Sequence, residues 1–585
     1  MSTKDPAPTP RAWPAASLAD IEARLCAPGA LFEMETVEIR GVPTRSWKNQ
    51  PRSLPALARR ARDRFGANTF LVLGDERVSY EGWFRAAAAL AADMRRSGVG
   101  RGDRVALAMP NLPEWPVVFF AAASLGAIIV PLNAWWTGAE LQYGLSHSGA
   151  VLLVCDEERL KRIGPHRAEL PDLREILATR APGCGASARA LERVIGAPDA
   201  YEALPDQDLP KVDIAPDDDA TIFYTSGTSG APKGALGTHR NMLTSTLSGA
   251  YSMHRAMLRR GEEPGPLQPK KTLMVIPFFH VTASHMVMMS TVMTGGMIVL
   301  MRKWDPIEAM RLIEREQITN AGGVPTIAWG LIEHHEQARF DLSSLEVVTY
   351  GGAPSAPELP RRIKSDLGKA PGNGWGMTET SAAVTMHNSE DYLNRPESCG
   401  PALPVSNIKI MSEDGREETP AGDVGELWAA GPQIVKGYWR NPSATAETFV
   451  DGWVRTGDLA RIDEEGFCYI VDRAKDVIIR GGENIYSSEV ENALYAHPAV
   501  IDAGVVGVPH RTLGEEPAAV VHLKPGARTS EAELRQWVRD RLAYFKAPVR
   551  IAFSDETLPR NANGKLIKKE LRRLLEEHAT LSSPS

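Results

Sequence analysis

The rhythm of hydrophobic positions changes twice along the chain and divides it into three textures. From about residue 70 to 155, short apolar runs alternate with Ala-rich amphipathic stretches: TFLVLG, FRAAAALAADMRRSG, RVALAMP, VVFFAAASLGAIIV and AVLLVCD. Such alternation predicts βαβ units on a mostly parallel sheet. It returns at Thr272–Ile276, Met297–Leu300 and Leu345–Tyr350. Past residue 400 the runs shorten to strands joined by turn residues, NIKIMSEDG, GELWAAG and GFCYIVD. From about residue 475 a small α+β unit follows, with EVENALYAHP, IDAGVVGVP, PAAVVHLK and a helix from Ser530 to about Ala543. The expected division is 1–474 and 475–585. Residues 1–20 read as frayed. The Pro-, Ala- and Asp-rich stretch 163–215 reads as a surface excursion, as does RRGEEPGPLQPKK, Arg259 to Lys271.

Composition narrows the function classes. The 585 residues are 43% hydrophobic and 24% charged, an ordinary globular balance. A net charge of −7 argues against a nucleic-acid partner, which calls for a basic face. Five scattered cysteines, Cys26, Cys155, Cys184, Cys399 and Cys468, show no metal-ligand spacing and suit reduced thiols of a cytoplasmic protein. The apolar run Val117–Val130 is too short for a membrane span and reads as a buried core helix. The prolines near the N-terminus do not suit a signal peptide, and LSSPS is not a peroxisomal address. Peripheral membrane contact and a homodimer both stay open.

One segment stands apart: YTSGTSGAPKG, Tyr224 to Gly234. Its glycines let backbone approach a ligand, and consecutive N–H groups in such a loop form an anion-binding concavity. Hydroxyls on Thr225, Ser226, Thr228 and Ser229 and the charge of Lys233 add donors. It follows the strand-like ATIFY. It is not a Walker loop, because Pro232 precedes Lys233 and Gly234 follows it.

This segment resembles the phosphate loop of the adenylate-forming (AMP-binding) superfamily, and the resemblance spans roughly residues 50–575. PFFH, YGGAP, NGWGMTET, GELWAAGPQIVKGYW, WVRTGDLARIDEEGFCYIVDRAKDVIIRGGENIYSSEVE and NANGKLIKKEL follow in the superfamily's order. Six signatures in order are far more specific than any one. The chain looks most like the bacterial fatty-acid CoA ligases. The resemblance implies an α/β fold: a large N-terminal adenylate-forming domain of parallel sheets and helices with a β-barrel-like subdomain, then a small mobile α+β C-terminal domain. It implies ATP, Mg²⁺ and coenzyme A, and a carboxylic acid that passes through an acyl-adenylate to a thioester.

The resemblance also assigns residues. Thr225, Ser226, Gly227, Thr228, Ser229, Gly230 and Lys233 would hold phosphates. Gly352, Ala353, Pro354, Gly374, Trp375, Gly376 and Met377 would border the adenine. Thr378 would reach phosphate, and Glu379 with Thr225 would approach Mg²⁺, which favours hard oxygen ligands. Asp458 would take the ribose hydroxyls, with Arg473 on the ribose or phosphate side. Lys565 would bridge the carboxylate and the α-phosphate. Lys475 matches the hinge, and Gly481 and Gly482 would leave room for the pantetheine arm of coenzyme A. His280 would stand at the mouth of the acyl pocket.

After His280, Met286, Met288, Met289 and Met293 read equally as an adaptable wall for an alkyl chain and as core packing. Val281 and Thr282 occupy the place where amino-acid adenylating relatives carry an aspartate. The expectation is therefore a medium- or long-chain fatty-acid CoA ligase, with an aryl or phenylpropanoid CoA ligase as its rival. Two more distant readings are an adenylating enzyme that passes its acyl group to a carrier protein and a non-catalytic nucleotide-binding module.

Overall fold

The computed structural model describes residues 13–582 apart from 186, 226–230, 353–355, 413, 525 and 561–564; the side chains of 336–338 and 579–582 are likewise not described. Two eight-stranded sheets form the large N-terminal body. The first runs Gly437–Tyr438, Gly234–Thr238, Asp219–Tyr224, Ile128–Pro131, Arg104–Ala108, Leu152–Asp156, Glu175–Thr179, Arg189–Ala190. The second runs Ala382–Asn388, Ala370–Met377, Val347–Gly351, Asn320–Gly323, Lys271–Met274, Met297–Leu300, Thr69–Leu73, Glu76–Ser79. Their inner strands pair in parallel, as the βαβ rhythm requires, and antiparallel strands close one edge of the first sheet and both edges of the second.

The largest hydrophobic core gathers the helices Leu54–Phe65, Tyr80–Arg96, Glu114–Ser124 and His239–Arg259 with strands of both sheets. Every residue of Glu114–Ser124 is buried. Its one carboxylate, Glu114, sits at the helix N-terminus, where the dipole favours it, and Arg180 Nε lies 2.8 Å away. The run Val117–Val130 is therefore not one helix. Gly126, at φ +70°, turns the chain out of the helix and into the strand Ile128–Pro131. A glycine in the left-handed region is a common helix stop.

A six-stranded antiparallel unit follows, in the order Gly400–Pro401, Phe467–Arg473, Trp453–Ile462, Gly425–Ala430, Asn407–Met411, with Phe449–Val450 beside Trp453–Ile462. A short 3₁₀ turn, Ala474–Asp476, leads into a five-stranded sheet. There Val500–His510 and Gly514–Leu523 form a long hairpin, and Ile551–Ser554 joins in parallel. The helices Ser487–Tyr495, Glu531–Arg539 and Lys568–Ser582 belong to this smaller unit; Ser530 caps the second with a capping box. The molecule is thus α/β, with a large N-terminal domain and a smaller C-terminal one.

Two expected surface stretches are tied in. Residues 163–215 contribute the strand Glu175–Thr179 and the edge strand Arg189–Ala190 and bury Leu191, Ile195 and Tyr201. Their apolar residues are too widely spaced to show periodicity. Ala15 N–H donates to the Arg259 carbonyl (2.8 Å), and the helix Leu18–Leu25 starts inside the stretch expected to fray. Arg259 itself is buried against Asp391, 2.9 Å away. Among the described residues no helix is long and apolar enough to cross a membrane.

Candidate active site

The Gly/Ser/Thr segment bridges two antiparallel strands, Asp219–Tyr224 and Gly234–Thr238. Thr225 N–H donates to the Lys233 carbonyl at 2.8 Å, closing the base of the loop. A Cβ on Gly234 would meet Ile222 Cγ2 at 2.6 Å, so the strand pair there needs a glycine. Ser226, Gly227, Thr228, Ser229 and Gly230 lie outside the described residues. Lys233 Nζ sits 4.8 Å above the Tyr438 ring, a cation–π contact that aims a long side chain.

Tyr438 then donates its hydroxyl to Glu379 Oε1 at 2.7 Å. Burial, with the Glu379 charge and hydrogen bond adding, pushes the Tyr438 phenol well above its ordinary range, so it stays a donor. Glu379 is buried in the 3₁₀ turn Thr378–Thr380, which ends the strand Ala370–Met377. The turn is held by Thr380, whose Oγ1 accepts from Met377 N–H (2.9 Å) and donates to the Ala382 carbonyl (2.7 Å). Ser381 (φ +46°) and Ala382 (φ +92°) both occupy the left-handed side without being glycine. Such strain costs on the order of 1–3 kcal/mol per residue and concentrates at functional sites.

Gly376 answers a packing need: its Cβ would lie 1.7 Å from the Ala382 carbonyl oxygen. Gly352, at φ +76°, has nothing within 4 Å of a Cβ position. That leaves a bare strip at the end of Val347–Gly351, beside Gly374, as a flat ring needs. Ala353 and Pro354 lie outside the described residues. Trp375 Nε1 donates to Asp458 Oδ2 (2.8 Å), and Arg473 Nε donates to Asp458 Oδ1 (2.8 Å). Asp458 and Arg473 are register partners on neighbouring strands, so the pair is built by the sheet. Each carboxylate oxygen can accept more than one hydrogen bond, so Asp458 retains the capacity to accept from two adjacent hydroxyls.

Lys565 reaches this centre from the C-terminal domain. Burial lowers its pKa, the Arg473 and Lys475 charges add to that, and Asp458 and Glu379 oppose it. Three cations thus act on two buried carboxylates, Glu379 and Asp458. His280 faces the same centre: burial, then the Lys565 charge, pushes its imidazole down to about 3. It is neutral at physiological pH. Its Nε2 is buried and meets no hydrogen-bond partner among the described residues.

The residues also fit Mg²⁺. Glu379 is engaged by Tyr438 through Oε1, which leaves Oε2 as a hard oxygen donor, and the Thr225 hydroxyl belongs to the same chain of contacts through Lys233 and Tyr438. Mg²⁺ keeps phosphate oxygens and waters for its remaining positions, so two protein oxygens suffice. Among the described residues no cluster of three or more His, Cys, Asp or Glu side chains is gathered for a metal.

Not every expected residue arrives. Gly481 (φ +60°) and Gly482 (φ +92°) form the exposed turn of the hairpin Ile478–Arg480/Glu483–Ile485. Two successive positive φ values are what a two-residue hairpin turn demands, and the turn points to solvent. Lys475 sits in the linking turn Ala474–Asp476, its pKa lowered first by burial and then by Arg473. Two residues escaped sequence reading: Tyr438 and Asp472. Tyr438 lay in view within VKGYW. Asp472 Oδ2 accepts from Ser487 N–H (2.5 Å) and Ser487 Oγ (2.9 Å), holding the first helix of the C-terminal domain to the strand Phe467–Arg473. Of the four methionines, Met288, Met289 and Met293 are in the large core and only Met286 borders the small cluster of Phe223, Val281 and Ala382.

Residues 57–439 match the family model described as AMP-binding enzyme, and residues 489–565 match the AMP-binding enzyme C-terminal domain. The chain is 36% identical over 500 residues to a feruloyl-CoA synthase of Amycolatopsis sp, covering 86% of this chain and 94% of that protein. It is 35% identical over 535 residues to a long-chain-fatty-acid–CoA ligase of Bacillus subtilis, covering 88% and 92%. Among solved structures it is similar to the O-succinylbenzoate coenzyme A synthetase of Bacillus subtilis in complex with ATP and magnesium ion. That match has a TM-score of 0.73 and 28% identity, covering 88% of this chain and 99% of that one.

Proposed function

The chain belongs to the AMP-binding enzyme family and is an enzyme of the acyl-CoA ligase type, and from that premise we propose that it activates an aromatic carboxylic acid with ATP and transfers the acyl group to coenzyme A. The observation that carries the adenylating part of the reading is that Lys565, from the C-terminal domain, is felt by His280 and interacts with Arg473 and the buried carboxylates Glu379 and Asp458.

The chemistry has to bring two anions together, a carboxylate and the α-phosphate. Lys565 lies where both would converge and offers a point charge on a long stem. Lys233, oriented over Tyr438, serves the outer phosphates. Mg²⁺, when bound through Glu379 and Thr225, supplies charge neutralisation at the phosphates. Asp458 takes the ribose hydroxyls while Trp375 and Arg473 fix its orientation. A neutral His280 beside the reacting carboxylate adds no charge to repel Lys565 and takes none from it. The second step brings the Gly481–Gly482 turn to the site by rotation about Lys475, and the thiol then displaces AMP.

Two features favour an aromatic acid over an alkyl chain. Three of the four methionines that suggested an alkyl wall serve the general core. The remaining wall, Phe223, Val281, Ala382 and Met286, is short and contains a ring. A fatty acid is the second reading, favoured by the likeness to the Bacillus long-chain ligase at similar identity. The test is pyrophosphate release with ATP and Mg²⁺ across benzoates, cinnamates and C8–C18 acids, with and without coenzyme A. Aromatic acids are expected to turn over fastest. A clear preference for alkyl acids would transfer the assignment to the second reading, and release that needs a carrier protein would replace coenzyme A as acceptor.

A further inference from the structure

Two peptide units decide where the Lys233 side chain leaves the backbone, and both are held. The carbonyl of Pro232 and the N–H of Lys233 belong to one planar unit. Its carbonyl accepts from the Tyr143 hydroxyl at 3.0 Å, and its N–H donates to Thr225 Oγ1 at 3.4 Å. The carbonyl of the next unit, that of Lys233 itself, accepts from Thr225 N–H at 2.8 Å. Thr225 belongs to the same Gly/Ser/Thr segment. Tyr143 does not: it lies 89 residues from Pro232 in the chain.

Tyr143 stands on a rigid base. Its helix, Gly138–Ser148, starts with a capping box of Thr137 and Glu140 and ends at the left-handed Gly149. A Cβ on Gly144 would meet Leu132 Cδ2 at 2.8 Å, so the helix packs close against the end of the strand Ile128–Pro131. The Tyr143 ring stacks on His147 one turn further on, with centroids 5.4 Å apart and planes 15° from parallel. Burial raises the Tyr143 phenol above its ordinary range, so it stays a donor. The same helix holds the start of the segment. The Tyr224 hydroxyl donates to the Gly144 carbonyl at 3.2 Å and lies 2.9 Å from His147 Nδ1. A third tie comes from Arg440, two residues beyond the Tyr438 ring that carries Lys233; its Nη1 donates to the His147 carbonyl at 3.3 Å. One helix thus anchors the residue before Thr225, the residue before Lys233 and the stretch that bears Tyr438.

We propose that Tyr143 is a positioning residue for ATP: its hydroxyl, by fixing the Pro232–Lys233 peptide plane, sets the Lys233 ammonium against the outer phosphates. The proposal rests on the reading of Lys233 as a phosphate-binding residue, and Tyr143 acts through it. The reaction itself separates this role from a general structural one. Adenylation and its reversal involve the outer phosphates, as ATP or as pyrophosphate. Thioester formation from an acyl-adenylate involves neither of them. A hydroxyl that places Lys233 therefore matters in the first half-reaction and not in the second. An interaction lost from substrate binding shows in the KM of the substrate that made it.

The test compares the parent enzyme with Tyr143→Phe, which keeps the ring on His147 and removes one oxygen. The readouts are KM for ATP and for the acid in adenylation, KM for pyrophosphate in ATP–pyrophosphate exchange, and the rate of thioester formation from supplied acyl-adenylate and coenzyme A. Both phosphate KM values are expected to rise about 3- to 10-fold, the usual effect of one lost hydrogen bond. KM for the acid and the thioester rate are expected to stay at the parent values, and an intact second half-reaction also shows that the variant folds. A thioester rate that falls as far as adenylation would make Tyr143 a packing residue and overturn the proposal. So would unchanged KM values for ATP and pyrophosphate. Lys233→Met in the same assays checks the premise. If it leaves both phosphate KM values unaltered, the reading of Lys233 fails first and this proposal falls with it; if it raises them and Tyr143→Phe does not, the proposal alone is overturned.

Discussion

The two parts of this molecule are held together in different ways from how each is held together inside. Within the N-terminal body the largest core runs from Ile21 to Val405 and is almost wholly apolar. The C-terminal domain has its own two clusters, with buried residues from Ile478 to Leu575. Among the described residues none of the buried hydrophobic clusters includes members from both sides of the linking turn. What joins the two sides is polar: Asp472 to Ser487, Ser488 Oγ to the Val471 carbonyl, and the electrostatic company of Lys565. Lys568 Nζ steadies the joint by donating to Ser487 Oγ at 2.7 Å and lying 3.8 Å from Asp476. Apolar burial is non-directional and is lost whenever surfaces part, whereas water can replace polar contacts at little net cost. A polar joint therefore suits the proposed rotation, in which the C-terminal domain would present two faces in turn to one centre.

Breaking the shared centre should give the largest effect. Lys565→Ala is expected to lower adenylation, read as ATP–pyrophosphate exchange, by roughly 10²–10³-fold, the usual consequence of removing one group that meets developing charge. Thioester formation from supplied acyl-adenylate should survive. Equal loss of both half-reactions would mean that Lys565 holds the fold rather than the reaction.

The next test reads the C-terminal domain alone. Burial raises Glu491 from 4.5 to about 7, against the opposing pull of Lys568 and of its hydrogen bond from Val505 N–H. The folded state thus holds that proton longer than the unfolded chain. The group's contribution is most favourable below pH 4.5 and is lost as pH rises toward 7. Glu491→Gln keeps the acceptor for Val505. Its stability gain over the parent should therefore be larger at pH 8 than at pH 4.5, by on the order of 3 kcal/mol. Denaturant melts at the two pH values check this, and a gain that does not change with pH would contradict the assignment.

The smallest effect sharpens the contrast between core and joint. Asp472→Ala removes the acceptor for the first turn of Ser487–Tyr495, a loss of about 1 kcal/mol for a typical cap. Adenylation is expected to fall several-fold, while the main melting transition of the N-terminal body stays in place. A large shift of that transition would show that the two parts share a core after all.

Much of the scaffold could be read before any coordinates. The alternation between residues 70 and 155 has a physical origin: strands buried on both faces must be continuous apolar runs, and the helices covering them must be amphipathic. Where a strand or helix is short and its burial comes from distant neighbours, that signal disappears. The two-residue edge strand Arg189–Ala190 is the example, since it is too short to show a period and only one neighbour covers it. Val117–Val130 failed for a related reason. Periodicity cannot tell a fully buried helix from a fully buried strand, and only the left-handed Gly126 divides them.

Candidate chemistry split along the same line. The glycines and hydroxyls around Thr225 and Lys233 stood out by residue type, whereas Glu379, Asp458, Arg473 and Lys565 became visible only through the resemblance of their motifs, in order, to those of the adenylate-forming superfamily. The sequence alone also determined an α/β chain of two unequal parts with a segment suited to a polyanion. The tertiary structure alone decided which of those groups meet. It brought the Lys565 charge to bear on Glu379 and Asp458, turned Gly481 and Gly482 outward, and put three methionines into the core. Proximity of residues more than a hundred positions apart follows from how sheets and domains pack, and local residue patterns do not encode it.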